Sequence, residues 1–326
     1  MTKDIDHVEK VSITVLVDNK ADLIVKSNDT ITHFAGKPLL AEHGFSALIQ
    51  IDDASEKILW DVGVSKDTLT ENMRRMELDP KEISIIALSH GHSDHYAGMT
   101  TLLKEMNLSP KAKEWGKKVS QKDIESFLVE NKVPIVAHPA AFRERWWKKD
   151  DGTLEGPIQP PPREEWEAVG AKIILSTEPY KLSPGCWTTG YVPRKSFEKT
   201  GRPTQLLYRS GDELLPDDLD EDQAIVISIK DKGLIILSGC AHSGIVNTVN
   251  HAKEFTGINT IYAIIGGFHL ARAEKDEIYK TIDLIKSEKP AYVVPSHCTG
   301  FQALKKFSQE MPDEFIEGVV GTTYIF

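Results

Sequence analysis

Short, uninterrupted apolar runs recur along this chain and constrain its fold more than any other feature. In the first half they are VSITVLVD (11–18), FSALIQI (45–51), KILWDVG (57–63), ISIIALS (83–89) and PIVAHP (134–139). In the second half they are KIILS (172–176), AIVISI (224–229), GLIILSG (233–239), TIYAIIGG (260–267) and AYVVPS (291–296). Runs of this length without polar alternation read as strands covered on both faces. Between them lie helical stretches. Residues 66–78 carry Leu69, Met73, Met76 and Leu78 as a stripe closed by Pro80, and further helices are expected near 95–106, 244–254, 274–287 and 301–310. Strands alternating with helices predict an α/β layered fold. No short-period repeat is present, which disfavours a solenoid.

Composition narrows the class. The chain has 326 residues, 40% hydrophobic and 27% charged, so it can bury a sizeable core. The formal charge of −10 without a basic patch argues against a dedicated nucleic-acid binder, because neutralising phosphates needs clustered Lys and Arg. Three cysteines, Cys186, Cys240 and Cys298, are too few and too scattered for a disulfide framework. No apolar run approaches a membrane span, and MTKDIDHVEK carries no secretory h-region, so a cytoplasmic protein is expected. Residues 107–170 differ from the rest. They hold seven prolines, four of the six tryptophans and the basic-aromatic cluster RERWWKK (143–149). They are read as an insertion in a single 1–326 domain, either a wall over the site or a packed surface excursion. The acidic segment DELLPDDLDED (212–222) is expected to be a solvated loop.

Chemistry concentrates in SHGHSDHYAG (89–98), immediately after a buried strand. His90 and His92 are two apart on extended chain and project to one side. A turn into a helix brings Asp94 and His95 back toward the same space. Imidazoles with a carboxylate suit zinc or a similar divalent ion. Four such groups exceed what one open site takes from a single stretch, which points to two adjacent metals. The plain alternative has Asp94 capping the helix and the histidines facing solvent.

HGHSDH resembles the signature of the metallo-β-lactamase fold hydrolases. That resemblance implies a four-layer αβ/βα sandwich with a mono- or dinuclear site on strand-end loops. Asp61 in ILWDVG matches the first motif of that superfamily and would steady a ligand loop by hydrogen bonding. His297 in VVPSHCTG matches the last motif. The chain departs from the general pattern at two places. No histidine lies between 139 and 241, where the third motif is usual, and GLIILSG ends in Cys240 where a bridging aspartate is usual. Cys240 is either a thiolate ligand in place of that carboxylate or a small buried hydrophobe. His242 or His269 would supply the missing imidazole, with His242 slightly favoured and His269 kept as a ligand or substrate contact. The blocks EHGFSALI, TTGYVPRKSFEK, SGCAHSGIVNTV, IIGGFHL and PSHCTG resemble the group that includes the archaeal dihydropterin ribofuranosyl-aminobenzene phosphate synthases. Within these blocks His43 is a candidate substrate contact, and Arg194 a candidate partner for an anionic or phosphorylated substrate. His7, His33 and His251 are read as surface or structural.

The leading expectation is a metal-dependent hydrolase whose dinuclear centre, of two zinc ions or else manganese or iron, activates water against an anionic, phosphorylated or ester-type small molecule. Asp94 would ligate one ion and orient the nucleophile. The alternatives are a dihydropterin-related phosphate synthase, a non-catalytic metal-stabilised binding or sensor module, and, more distantly, a di-iron redox protein. The expected partner is a small molecule, with neither nucleic acid nor membrane, and self-association into a homo-oligomer stays open.

Overall fold

The computed structural model describes residues 5–52, 54, 57–106, 120–121, 132–201 and 203–326. Much of the segment between 107 and 131, within the expected insertion, therefore lies outside the described residues. Two large sheets organise the chain. The first contains β1 (Val11–Val17), β2 (Ile31–His33), β3 (Ser46–Ile51), β4 (Lys57–Trp60), β5 (Ile83–Ala87), β6 (Val133–Ala137), β9 (Ala171–Leu175) and β18 (Thr322–Ile325), in the order β2-β18-β1-β3-β4-β5-β6-β9. The second contains β10 (Lys181–Ser183), β11 (Cys186–Thr188), β14 (Ala224–Ile229), β15 (Gly233–Ser238), β16 (Ile261–Gly267) and β17 (Tyr292–Ser296), in that order. A third sheet joins β7 (Arg145–Lys148), β8 (Leu154–Ile158), β12 (Leu206–Ser210) and β13 (Glu213–Pro216) as β13-β12-β7-β8.

The apolar runs are strands because each must cover two faces. Along β15, Ile235 and Leu237 point into one cluster of buried side chains while Leu234 and Ile236 point into another. The first cluster lies between the two large sheets, where β1 contributes Val11, Ile13 and Val15 and β14 contributes Ile225, Ile227 and Ile229. Outside the first sheet pack α1 (Thr68–Arg75), α3 (Met99–Met106) and α4 (Arg163–Ala168), through Leu69, Met73, Leu102, Leu103 and Trp166. Outside the second pack α5 (Ile245–Thr256), α6 (Lys275–Ser287) and α7 (Phe301–Glu310), through Val249, Phe255, Ile282, Ile285 and Phe307. Helix, sheet, sheet and helix make the four-layer αβ/βα sandwich expected from the sequence.

The topology places every strand end that matters on one edge. β4, β5, β6 and β9 run parallel, as do β15, β16 and β17. Their carboxyl ends therefore open together, the usual place for a site in such sheets. The expected helix near 95–106 is two helices, α2 (Ser93–Tyr96) and α3, and this break lets His95 turn inward.

The 212–222 segment corrects its sequence reading. Glu213–Pro216 is a strand, and Asp217, Glu221 and Asp222 are fully buried rather than solvated. Asp217 and Glu221 accept hydrogen bonds from Arg145 at 2.8 and 2.5 Å, and Asp220 pairs with Arg143. The acid run is thus the partner of the RERWWKK cluster, and charge pairing of Arg143 and Arg145, at the start of β7, with the segment past β13 explains why both segments fold inward.

Helix α5 starts without a side-chain cap from its own preceding residue Gly244. The half-buried Glu198 serves instead, accepting from Val246 N and Asn247 N at 3.0 Å each. A Glu198→Ala variant is expected to lose about 1–2 kcal/mol of unfolding free energy, read by denaturant titration, because two N–H groups lose their acceptor.

Candidate metal centre

Each large sheet delivers half of the site. From the first come Asp61 just past β4, and His90, His92, Asp94 and His95 past β5. From the second come Cys240 and His242 past β15, His269 past β16 and His297 past β17. The backbone is forced at these points: Asp61, His269 and His297 all adopt positive φ, at 55°, 47° and 47°. Non-glycine residues rarely sit there, and such strain concentrates where side chains must be aimed.

Asp61 anchors the first half from beneath. Its Oδ1 accepts from Ser89 N at 2.8 Å, and its Oδ2 accepts from Ser89 Oγ and His95 Nδ1 at 2.7 Å each. The proton on His95 Nδ1 follows from the acceptor-only carboxylate opposite it. That leaves His95 Nε2 facing the site, 3.2 Å from Cys240 Sγ and 3.6 Å from Asp94 Oδ2. Gly239 permits this arrangement, because a Cβ there would overlap Ser89 Oγ and lie 3.0 Å from Asp61 Oδ2. Gln223 closes the seam between the sheets by donating to Leu88 O and Ser89 O.

Two sets of donor atoms result. Asp94, His95, Cys240 and His297 place ligand atoms within 4.8 Å of one another, and so do His90, His92 and His242. Cys240 and His242 also form such a group with His269, so Cys240 lies between the two sets. Ring contacts run through them continuously: His90–His95 at 4.2 Å, His90–His242 at 4.8 Å, His92–His242 at 4.9 Å, His95–His297 at 5.0 Å and His242–His269 at 4.1 Å between centroids. All eight metal-ligating candidates named from the sequence are thus brought together. Both alternatives for the missing imidazole converge here, with His242 in the His90–His92 set and His269 beside it.

The electrostatics suit a cation. Burial pushes His90 and His242 well below the ordinary imidazole value and takes His92 to about 4, so all three are neutral at pH 7 with lone pairs to give. Burial works against ionising Asp94, yet His95 and His297 hold its carboxyl well below the usual carboxylate range. Burial also opposes charge on His95, but Asp94 and Asp61 outweigh it and raise that imidazole to about 9. His242 Nε2, His269 Nδ1 and His297 Nδ1 are buried without a hydrogen-bond partner among the described residues. Buried, unpartnered imidazole nitrogens are costly unless something accepts their lone pairs. The donor set of imidazoles, one carboxylate and one thiol fits a divalent transition ion.

These shifts contribute to the pH response of the metal-free protein. Between about 6.5 and about 4 the unfolded chain binds protons that the folded His92 refuses, so stability should fall as pH is lowered through that window, with His90 and His242 acting in the same direction. His95 acts oppositely: its contribution is present below about 6.5 and is lost as pH rises through 9. The His92 share is read as the difference in thermal unfolding between chelator-treated parent and His92→Ala across about pH 4–7: the parent should lose stability relative to the variant as pH falls, and a difference that does not change with pH would contradict this.

The remaining candidates separate. His43 lies at the rim, its side chain 66% exposed, with Nε2 3.5 Å from Asp94 Oδ2 and its ring stacked on His297 at 4.9 Å. Arg194 does not meet the expectation of a free anion contact. Its guanidinium is engaged with the backbone carbonyls of His242, Asp218 and Leu219, so it holds the His242 loop in place. His7, His33 and His251 bond Ser228, Thr322 and Thr189, away from the centre.

Sequence reading overlooked several supports. Asp222, at the start of β14, accepts from Ser243 N at 2.8 Å beside His242. Asp18 accepts from His297 N at 3.0 Å. Both stand next to strand ends on the site edge, as Asp61 does. A cavity of about 190 Å³ adjoins the centre, lined by His92, Asp94 and Tyr96 on one side and by Arg143, Arg145 and the 158–160 segment on the other. The 143–160 stretch and Leu206 of β12 thereby form one wall of it. No described helix is long and apolar enough to cross a membrane.

Comparison with known proteins agrees with this geometry. Residues 40–297 match the metallo-beta-lactamase superfamily. The chain is 32% identical over 283 residues to the 7,8-dihydropterin-6-methyl-4-(beta-D-ribofuranosyl)-aminobenzene-5'-phosphate synthase of Methanocaldococcus jannaschii, covering 85% of this chain and 88% of that one. It is 31% identical to an uncharacterized protein of the same organism, covering 89% of this chain and 96% of that one. Among solved structures it is similar to Tm1679, described as a metal-dependent hydrolase of the beta-lactamase superfamily, with a TM-score of 0.68, 22% identity and coverage of 96% and 98%.

Proposed function

The chain belongs to the metallo-beta-lactamase superfamily, and on that premise we propose that it is a metal-dependent hydrolase acting on an anionic small molecule, phosphorylated or ester-type, at a two-ion centre. The observation that carries the reading is the pair of donor sets meeting at Cys240: His90, His92 and His242 on one side, Asp94, His95 and His297 on the other. Zinc is the ion this donor set suits best, with manganese or iron as alternatives.

Divalent ions, when bound, supply Lewis acidity that makes water nucleophilic near neutral pH and stabilises charge developing on substrate oxygens. The chain's own residues do the rest. Asp61 and Ser89 lock His95 in the tautomer that turns Nε2 inward. Asp94 stays ionised through the neutral range and offers a carboxylate oxygen that can accept a hydrogen bond from water and orient it. Arg194 and Gly201 fix His242, the first through its carbonyl and the second by accepting from Nδ1 at 3.0 Å. Apart from Asp94 and Cys240 the donors are imidazoles, so a loaded centre would be net positive and would draw an anion into the cavity beside it. Arg143 and Arg145 line that cavity but are matched by Asp217, Asp220 and Glu221, so anion attraction would come chiefly from the centre itself.

A second reading has its own support in the 32% identity to the dihydropterin-linked synthase over most of both chains. Under it the same centre would serve assembly of a pterin-derived phosphate ester. One experiment separates the readings. Chelated and metal-reloaded protein are assayed on phosphodiesters, lactones and thioesters beside dihydropterin and ribofuranosyl-aminobenzene phosphate substrates. Hydrolysis restored by metal on at least one general ester supports the first; turnover confined to the pterin substrates supports the second. Metal binding without turnover on any substrate would leave a binding or sensor module, and full activity in the chelated protein would overturn the metal mechanism.

A further inference from the structure

We propose that Asp18 and Asn19, at the end of β1, are positioning residues for the metal centre: they clamp His297 from both sides of its backbone and so set the sub-site it shares with Asp94 and His95. This rests on the two-ion reading above. His297 sits on the second sheet, just past β17, while Asp18 and Asn19 continue the first sheet. Asp18 Oδ1 accepts from His297 N at 3.0 Å, and Asn19 Nδ2 donates to His297 O at 2.8 Å. The same Asp18 Oδ1 accepts from Asn19 N at 2.6 Å, which fixes the pair as a unit. Asp18 O accepts from Glu42 N at 3.1 Å, next to His43, and His43 stacks on the His297 ring.

The clamp answers a specific difficulty. His297 is held at φ 47°, a conformation that β-carbon-bearing residues adopt at a cost of order 1 kcal/mol or more. Its two backbone polar groups cannot continue the β17 ladder from that geometry, so partners must come from elsewhere. Both partners come from one dipeptide on the opposite sheet. If either were lost, the peptide could relax toward negative φ and swing the imidazole away from Asp94 Oδ2, now 3.4 Å distant. Asp18 is fully buried whereas Asn19 is exposed, with its side-chain amide directed at the carbonyl.

The test measures metal affinity at each sub-site by chelator competition with zinc on the full-length protein, together with thermal unfolding. Asn19→Ala and Asp18→Ala should each weaken one ion by roughly 10-fold or more while the other binds as in wild type. Asp18→Asn keeps an acceptor for His297 N–H and should restore most of the affinity. A merely structural role would lower the unfolding temperature without separating the two ions. If Asp18→Ala fails to fold, the exposed Asn19→Ala decides alone. Unchanged affinities in Asn19→Ala, equal weakening of both ions, or an Asp18→Asn variant as impaired as Asp18→Ala would overturn the clamp. Wild type that binds two ions beside an unaffected Asn19→Ala variant removes the clamp alone; wild type that binds none removes the metal reading with it.

Discussion

His92→Ala and Asp94→Ala should each abolish turnover, with a loss of at least about three orders of magnitude in kcat/KM, because several kcal/mol of transition-state stabilisation would go with the ion they help hold. The two residues belong to different donor sets, so the variants should differ in what they keep. His92→Ala leaves Asp94, His95, Cys240 and His297 intact and should retain one ion; Asp94→Ala leaves His90, His92 and His242 and should retain the other. His92 is only partly buried, so the unfolding temperature of metal-free His92→Ala should stay close to that of the metal-free parent at neutral pH. Asp94 faces His95 and His297 from a short helix at the cavity wall, so metal-free Asp94→Ala should lose the modest stabilisation that its carboxylate shares with them yet remain folded. Loss of activity accompanied by collapse of the metal-free fold would assign these residues to architecture instead.

The largest loss of stability is expected at Arg145. Its guanidinium is buried, donates to Asp217 Oδ2 at 2.8 Å, to Glu221 Oε1 at 2.5 Å and to Ala140 O at 3.0 Å. Even with this partner, burial raises the Glu221 carboxyl to about 7. Arg145→Ala would leave the buried Glu221 without its cation and Asp217 with only Arg143, 3.7 Å away, which costs about 3–5 kcal/mol. Guanidinium-chloride unfolding should show that loss. Because Arg145 also lines the cavity beside His92, substrate KM should rise in parallel. An Arg145→Met/Glu221→Met double variant removes an opposing pair together and should recover part of the stability, since an apolar pair has no charge to desolvate. A single variant within 1 kcal/mol of the parent would contradict the assignment.

How far the sequence could be read follows from the range of the interactions involved. The apolar runs of β14 to β17 were plain because each strand is buried on both faces by its own residues. SHGHSDH was plain because four donors lie within six positions. Local signals failed where partners are distant. β18 slots between β1 and β2 from the far end of the chain, and nothing in TTYI announces that neighbour. DELLPDDLDED looks solvated until Arg143 and Arg145, some seventy residues earlier, are known to face it. Arg194 looked like an anion contact because a guanidinium in a glycine-bordered loop carries no mark of the carbonyls it will meet. The choice between His242 and His269 is open from sequence for the same reason: two neighbouring strand ends, past β15 and past β16, must be brought side by side before both are seen to flank Cys240.

If strand-end loops from the two sheets hold a pair of divalent ions, freshly purified protein should show it by elemental analysis, as moles of metal per mole of chain. About two divalent ions per chain are expected, falling to about one in His92→Ala and in Asp94→Ala. Fully active wild-type protein that carries no stoichiometric divalent metal would contradict it.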